Sequence, residues 1–283
     1  MALAGLAAPT RGASAPSDSG ILNGVNAQLR ASGSNLAAEA VELFSIGGGR
    51  PSFRIHQQSF RWVANDSRRL ADGTNITYLV DRDDGRTSSS LSARTTEAAL
   101  DRALATWDAQ DCLSAPILKR DDHNSGPDIF DSFFGFGRLG DPFLADIVQA
   151  GWLPGEFFEA VSGGQRDILA LSVTFIFVDP DTGEPTDVNN DRYLDTALNE
   201  VYYNDFFGSR RTAAANHPWA IDSPLPAIDV ETVALHESGH SLGLGHFGPP
   251  PDAVMNPVYA GIRQEPLSAD LSGLCAYWRS WPK

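Results

Sequence analysis

One run of eleven residues limits this chain more than any other feature. It reads His236-Glu237-Ser238-Gly239-His240-Ser241-Leu242-Gly243-Leu244-Gly245-His246. The stretch from Asp229 to Leu242 has the pattern of a helix, with Asp229 placed to cap its start. Gly243 falls where helices commonly end. His236 and His240 are four apart, so both imidazoles project from one face of that helix and can take two corners of a zinc tetrahedron. Glu237 sits beside the first ligand, where a carboxylate can reach metal-bound water without being a ligand itself. A sharp turn at Gly243, in a backbone state that glycine tolerates, can bring His246 back as a third ligand. Three protein ligands leave a fourth position open for water, which marks a catalytic rather than a structural site.

Nine residues further on comes Met255-Asn256-Pro257-Val258-Tyr259. A methionine in a proline-flanked loop is by itself ordinary core packing. After the histidine run it looks like a Met-turn, and the combination resembles the metzincin zinc peptidases. Within them it most resembles the matrixins, through His236 to Leu244, the Met-Asn-Pro-Val-Tyr turn and Leu267 to Leu274. Asn75 to Tyr78 and Ala103 to Trp107 look like that family's first strand and first helix. The resemblance covers Arg61 to Trp278 loosely and Val233 to Leu274 closely.

It implies a zincin fold, with a twisted mixed sheet and two long helices followed by a small irregular C-terminal subdomain with one helix. It implies one catalytic Zn²⁺ on His236, His240 and His246, with Glu237 as general base. Met255 would form a floor under the metal, and Pro257 and Tyr259 would shape the pocket for the residue after the cut. Three departures stand out. Phe247 replaces the serine usual after the third histidine. The family's cysteine latency motif is missing, and His56, His123 and His217 are too scattered for a second, structural zinc.

Composition narrows the rest. The chain has 283 residues and a formal charge of −15, a poor match for nucleic acid, whose phosphates need surplus Lys and Arg. No stretch reaches the ~20 apolar residues of a membrane span. Residues 1–19 are low-complexity and read either as a signal peptide with a truncated start, cut near Ala13-Ser14-Ala15, or as a disordered tail. Cys112 and Cys275 are either a disulfide, which needs an oxidising compartment, or two buried thiols. Asn65 and Asn75 open glycosylation-type tripeptides, a pattern common by chance.

The elements point to an α+β protein. Asn75–Asp81 reads as a strand. Thr96–Ala109 reads as a helix with Leu100, Ala103, Leu104 and Trp107 on one face. Asp167–Val178 is a strand apolar on both alternating sets, hence covered on both faces, and Leu198–Asp205 is a further strand candidate. A last helix runs Ser268–Trp278 with Ser268 as its cap. Ile21–Ile46 mixes helix and strand signals, so the role of residues 20–60 stays open. The expected catalytic domain is 61–283, split into 61–243 and 244–283. Asp187, Asn189, Asp191 and Asp195 place oxygens at calcium-loop spacing, though the loop lacks its turn glycine and final glutamate. The alternative is a solvated acidic loop.

The expected protein is a secreted, monomeric zinc endopeptidase acting on proteins or peptides. The rival is a non-catalytic zinc-binding adhesion or scaffold module, which has no need of Glu237.

Overall fold

A single mixed sheet organises the molecule. In the computed structural model, which describes residues 18–47, 58–121, 126–138, 140 and 143–281, its strands are β1 (Leu36–Ser45), β2 (Phe60–Arg61), β3 (Ile76–Val80), β4 (Ile117–Lys119), β5 (Ile147–Leu153), β6 (Ile168–Phe177) and β7 (Leu194–Asn204). Across the sheet the order is β1-β6-β7-β5-β3-β4, with β2 added in parallel at the start of β7. The β7, β5, β3 and β4 strands are parallel, while β6 runs antiparallel to β7 and β1 antiparallel to β6. A short parallel pair, β8 (Trp219–Ala220) and β9 (Ile228–Asp229), lies apart. The low-complexity N-terminal run through Ser17, His56 and His123 lie outside the described residues.

Among the described residues five α-helices cover the sheet: α1 (Asp18–Ala31), α2 (Ala93–Asp108), α3 (Gly155–Ser162), α4 (Val230–Ser241) and α5 (Ser268–Trp278). The alternating residues of β6 and β7 explain the layering. Leu171, Val173, Phe175 and Tyr202 enter one core, shared with Val25 and Leu29 of α1 and Phe157 and Phe158 of α3. Leu169, Val201 and Tyr203 enter the other, shared with Trp107 of α2, Leu235 of α4 and Trp278 of α5. A strand covered on both faces is apolar at every position, as the Asp167–Val178 pattern predicts.

Several boundaries differ from the sequence reading for local reasons. Helix α2 starts earlier, at Ala93, because Ser92 caps it by accepting the Thr95 N–H at 3.2 Å. Leu100, Ala103, Leu104 and Trp107 are buried, as the periodicity requires. Ser268 is the first helical residue of α5 rather than its cap. Asp270 does the capping, accepting the Leu267 N–H at 2.8 Å. The short α3 has no counterpart in the sequence reading. Residues whose role was open supply α1 and β1, and β1 is an integral edge of the sheet.

Cys112 and Cys275, 163 positions apart in sequence, are joined in a disulfide with Cα atoms 5.1 Å apart. It ties the chain after α2 to α5. Closing so long a loop removes roughly 5 kcal/mol of unfolded-chain entropy in the loop-closure picture.

Candidate metal centre

The α4 helix begins at Asp229, whose side chain accepts the Thr232 N–H at 2.9 Å. It ends in a left-handed glycine turn. Gly243 has φ +88°, its N–H bonds to the His240 carbonyl (2.9 Å), and the Leu244 N–H reaches back to the Gly239 carbonyl (3.0 Å). Those two bonds make the Schellman ending that reverses the chain. A side chain at Gly243 would strike the Tyr277 ring as well as strain the turn. The reversal carries His246 back over the helix face.

There the three Nε2 atoms converge, 3.0 Å (His236–His246), 3.1 Å (His240–His236) and 3.2 Å (His240–His246) apart. Nitrogens on a tetrahedral zinc at ~2.0–2.1 Å would be about 3.3 Å apart, so the trio fits one ion. Among the described residues it is the only group of His, Cys, Asp or Glu gathered closely enough to share a metal.

The outer nitrogens fix the ring orientations. His236 Nδ1 lies 2.7 Å from the Val254 carbonyl, and His240 Nδ1 lies 2.7 Å from the Leu244 carbonyl. Donation there places the ring proton on Nδ1 and leaves the Nε2 lone pair facing the metal position. His246 Nδ1 faces the Glu42 carboxylate at 3.4 Å. Burial holds the rings neutral. It takes His236 well below the usual imidazole range, His240 down to about 4 and His246, with the neighbouring His240 adding to the effect, down to about 3. Neutral imidazoles are what a metal ligand requires.

Glu237 is fully buried, and among the described residues neither carboxylate oxygen has a hydrogen-bond partner. Burial, reinforced by the nearby Glu42 charge, pushes its carboxyl well above the ordinary range. A buried carboxylate without donors is costly. A dication held by the three imidazoles would supply the positive charge that the protein leaves out.

Met255 lies fully buried beneath α4. A β-carbon at Gly239 would sit 2.4 Å from its sulfur, so the helix needs a glycine there to admit the Met-turn. Asp270 anchors that turn by accepting the Val254 and Met255 N–H groups at 2.8 and 3.1 Å. Tyr259 closes one side of the site, its hydroxyl accepting the Asp229 N–H at 2.9 Å. The Pro257 carbonyl accepts the Ser45 N–H at 3.2 Å. Phe247, at the departure from the matrixin pattern, is buried in the core around α4, and its N–H bonds to the Met255 carbonyl at 3.1 Å.

Two site neighbours escaped the sequence reading, Glu42 and Phe44 on β1. The Phe44 ring stacks on His236 with centroids 3.8 Å apart and 11° between planes. No local pattern announces a contact between residues so far apart in the chain.

The acidic loop is held by its own hydrogen bonds. Asp187 accepts the backbone N–H groups of Asp191 and Arg192 at 3.0 Å, and Asn189 donates to Asp191 at 3.1 Å. Asp195 turns away from them. It is fully buried at 2.7 Å from the Arg68 guanidinium and also accepts from Thr186 Oγ1 and the Val188 N–H. The Arg68 guanidinium thus partners Asp195, apart from the contacts that join Asp187, Asn189 and Asp191. His217 is engaged elsewhere, with Nδ1 at 2.9 Å from the Pro226 carbonyl.

Fold and site together define a metallohydrolase domain of the metzincin kind. Residues 156–274, from α3 through most of α5, match the matrixin family. The chain carries a matrixin-like metallopeptidase catalytic domain.

Proposed function

We propose that the chain is a secreted zinc endopeptidase in which His236, His240 and His246 hold the metal and Glu237 is the general base. The observation that carries this reading is the pairing of three converging Nε2 atoms with a buried carboxylate that has no protein partner. Zinc bound there would supply Lewis acidity toward the scissile carbonyl and an activated water. Glu237 accepts the proton of the attacking water and returns it to the leaving amine. Met255 and Gly239 keep the helix face and the turn in close packing beneath the ligands. Pro257 and Tyr259 line the pocket for the residue after the cut. The Cys112–Cys275 bridge supports export, because disulfides persist in oxidising compartments.

The test is casein or peptide cleavage, mapped by mass spectrometry, with zinc content measured on the same samples. Cleavage should stop on chelation. In Glu237→Ala it should fall by about 10²–10⁴-fold with one zinc still bound. Undiminished cleavage by that variant would end the general-base assignment. Full zinc occupancy without cleavage of any peptide, by the full chain and equally by a chain freed of β1, would favour the non-catalytic module.

A further inference from the structure

Strand β1 lies across the metal site and is gripped on both sides. On one side it pairs antiparallel with β6, with Val41 opposite Val173, Leu43 opposite Leu171 and Phe44 opposite Ala170. On the other, Ser45 bridges in parallel to Val258, giving its N–H to the Pro257 carbonyl and accepting the Tyr259 N–H at 2.8 Å. The register slips between Phe44 and Ser45, so β6 carries one unmatched residue there, and such bulges occur beside active sites.

The side chains follow the same logic. The Phe44 ring lies flat on His236 and meets the Tyr259 ring at 6.1 Å, edge to face. It is only 2% exposed, so it fills the space between a metal ligand and the pocket wall. Glu42 faces His246. An extended segment held by main-chain bonds along a sheet edge, with alternate side chains in pockets, is how a sheet edge takes up a peptide. The β6 edge accepts one strand, so β1 and a substrate peptide on that edge exclude each other.

We propose that β1 is a built-in occupant of the peptide cleft, with Glu42–Ser45 lying where a substrate peptide would lie and Phe44 filling the pocket for the residue after the cut. The chain as folded is latent until β1 is displaced or removed. This rests on the peptidase reading above. Helix α1 fastens the occupant: Asn26 donates to the Ala38 carbonyl (2.9 Å) and accepts the Ala38 N–H (2.7 Å), while Val25 and Leu29 are buried. Tethering makes the occupancy intramolecular, at an effective concentration in the millimolar range, above that of most free substrates.

The test compares the zinc-loaded full chain, full-length Phe44→Lys and a chain starting at Gln58. It measures hydrolysis of a quenched fluorescent peptide, the rate at which a chelator strips the zinc, and binding of a synthetic Leu36–Ile46 peptide to the shortened chain. Phe44→Lys should raise kcat/KM and the stripping rate by roughly 10-fold or more, and the synthetic peptide should compete with substrate on the shortened chain. A folded Phe44→Lys protein, by circular dichroism, with neither rate raised would overturn the proposal even if the shortened chain fails to fold. The two readings fail differently. If no form cleaves peptide but stripping accelerates and the synthetic peptide binds, latency of a peptidase is wrong and occupancy of the cleft stands. If the full chain already cleaves at the rate of Phe44→Lys, the peptidase stands and the built-in occupant does not.

Discussion

Two clusters of buried ionisable groups lie on opposite faces of the sheet, and they are built on opposite principles. At the metal centre, lone pairs converge without donors: three Nε2 atoms within 3.2 Å of one another and a carboxylate with no partner. On the other face Glu200, Asp128 and Asp131 gather around Tyr202, but the chain has already answered most of them. Glu200 accepts the Ile129 and Phe130 N–H groups at 2.7 and 3.0 Å and the Tyr202 hydroxyl at 2.8 Å. Burial pushes Glu200 up to about 8 and Asp131, with Asp128 and Glu200 adding repulsion, up to about 9. Acids held that high keep their protons at neutral pH. Burial alone is therefore a poor mark of function. What separates Glu237 from Glu200 is whether the protein supplies the donors.

The largest test of this contrast removes one member of the trio. Placed in the Phe44→Lys chain, His240→Ala should lose its zinc and drop peptide cleavage to background, because two imidazoles cannot hold the ion in a three-ligand site. Metal analysis beside the cleavage assay checks both. Retained zinc with retained activity would show that the convergence is incidental and would erase the difference between the clusters.

That half of the contrast was legible in the sequence because it is local. Four-residue spacing on a helix, a glycine at its end and a methionine shortly after need only helix geometry to be read. The same holds for the buried face of α2 and for Asp229 as a cap. What could not be read depends on distant partners. β1 joins the sheet only because β6 offers an antiparallel edge and the Met-turn an opposing one, and both lie more than a hundred residues downstream. Asp195 has calcium-loop spacing, yet the fold brings Arg68 against it, and no spacing rule sees an arginine that far upstream. Ser268 failed as a cap for a local reason instead, since Asp270 reaches back from inside the helix to the Leu267 N–H.

A smaller effect tests the acidic face. The folded Asp131 carboxyl titrates near 9, above its value of about 3.9 when unfolded. Between those values the folded state binds more protons than the unfolded one, so stability falls as pH rises through that window. Asp131→Asn removes the titration. It should match the parent at pH 4 and exceed it at pH 8 by about 1–3 kcal/mol, the size of a desolvated polar group's penalty, measured by urea unfolding at the two pH values. Loss of stability at pH 8 would mean that the ionised carboxylate is doing something there, and the cluster would belong with the metal centre.

Still smaller is packing under the site. Gly239→Ala would put a methyl group within 2.4 Å of the Met255 sulfur, and overpacking of that kind costs about 1–3 kcal/mol. Thermal unfolding should show the loss. Activity should fall further than stability alone explains, because moving Met255 tilts the helix face that carries two ligands. A fall in stability with kcat untouched would leave Gly239 as packing only.

The smallest expected effect is calcium, and it tests both acidic regions at once. A cation that binds the native state raises its melting temperature. Glu200 is already supplied with donors, and Arg68 partners Asp195 beside the neighbouring loop, so millimolar Ca²⁺ should leave the Tm unchanged. A rise that disappears in Asp131→Asn would place a cation among the buried acids and make them a second metal site. A rise that survives there but disappears in Asp187→Asn would place it in the loop, held by Asp187, Asn189 and Asp191 without Asp195. Either result would replace the rule that supplied donors mark a finished structure with a narrower one, that donors bind only until a stronger charge arrives.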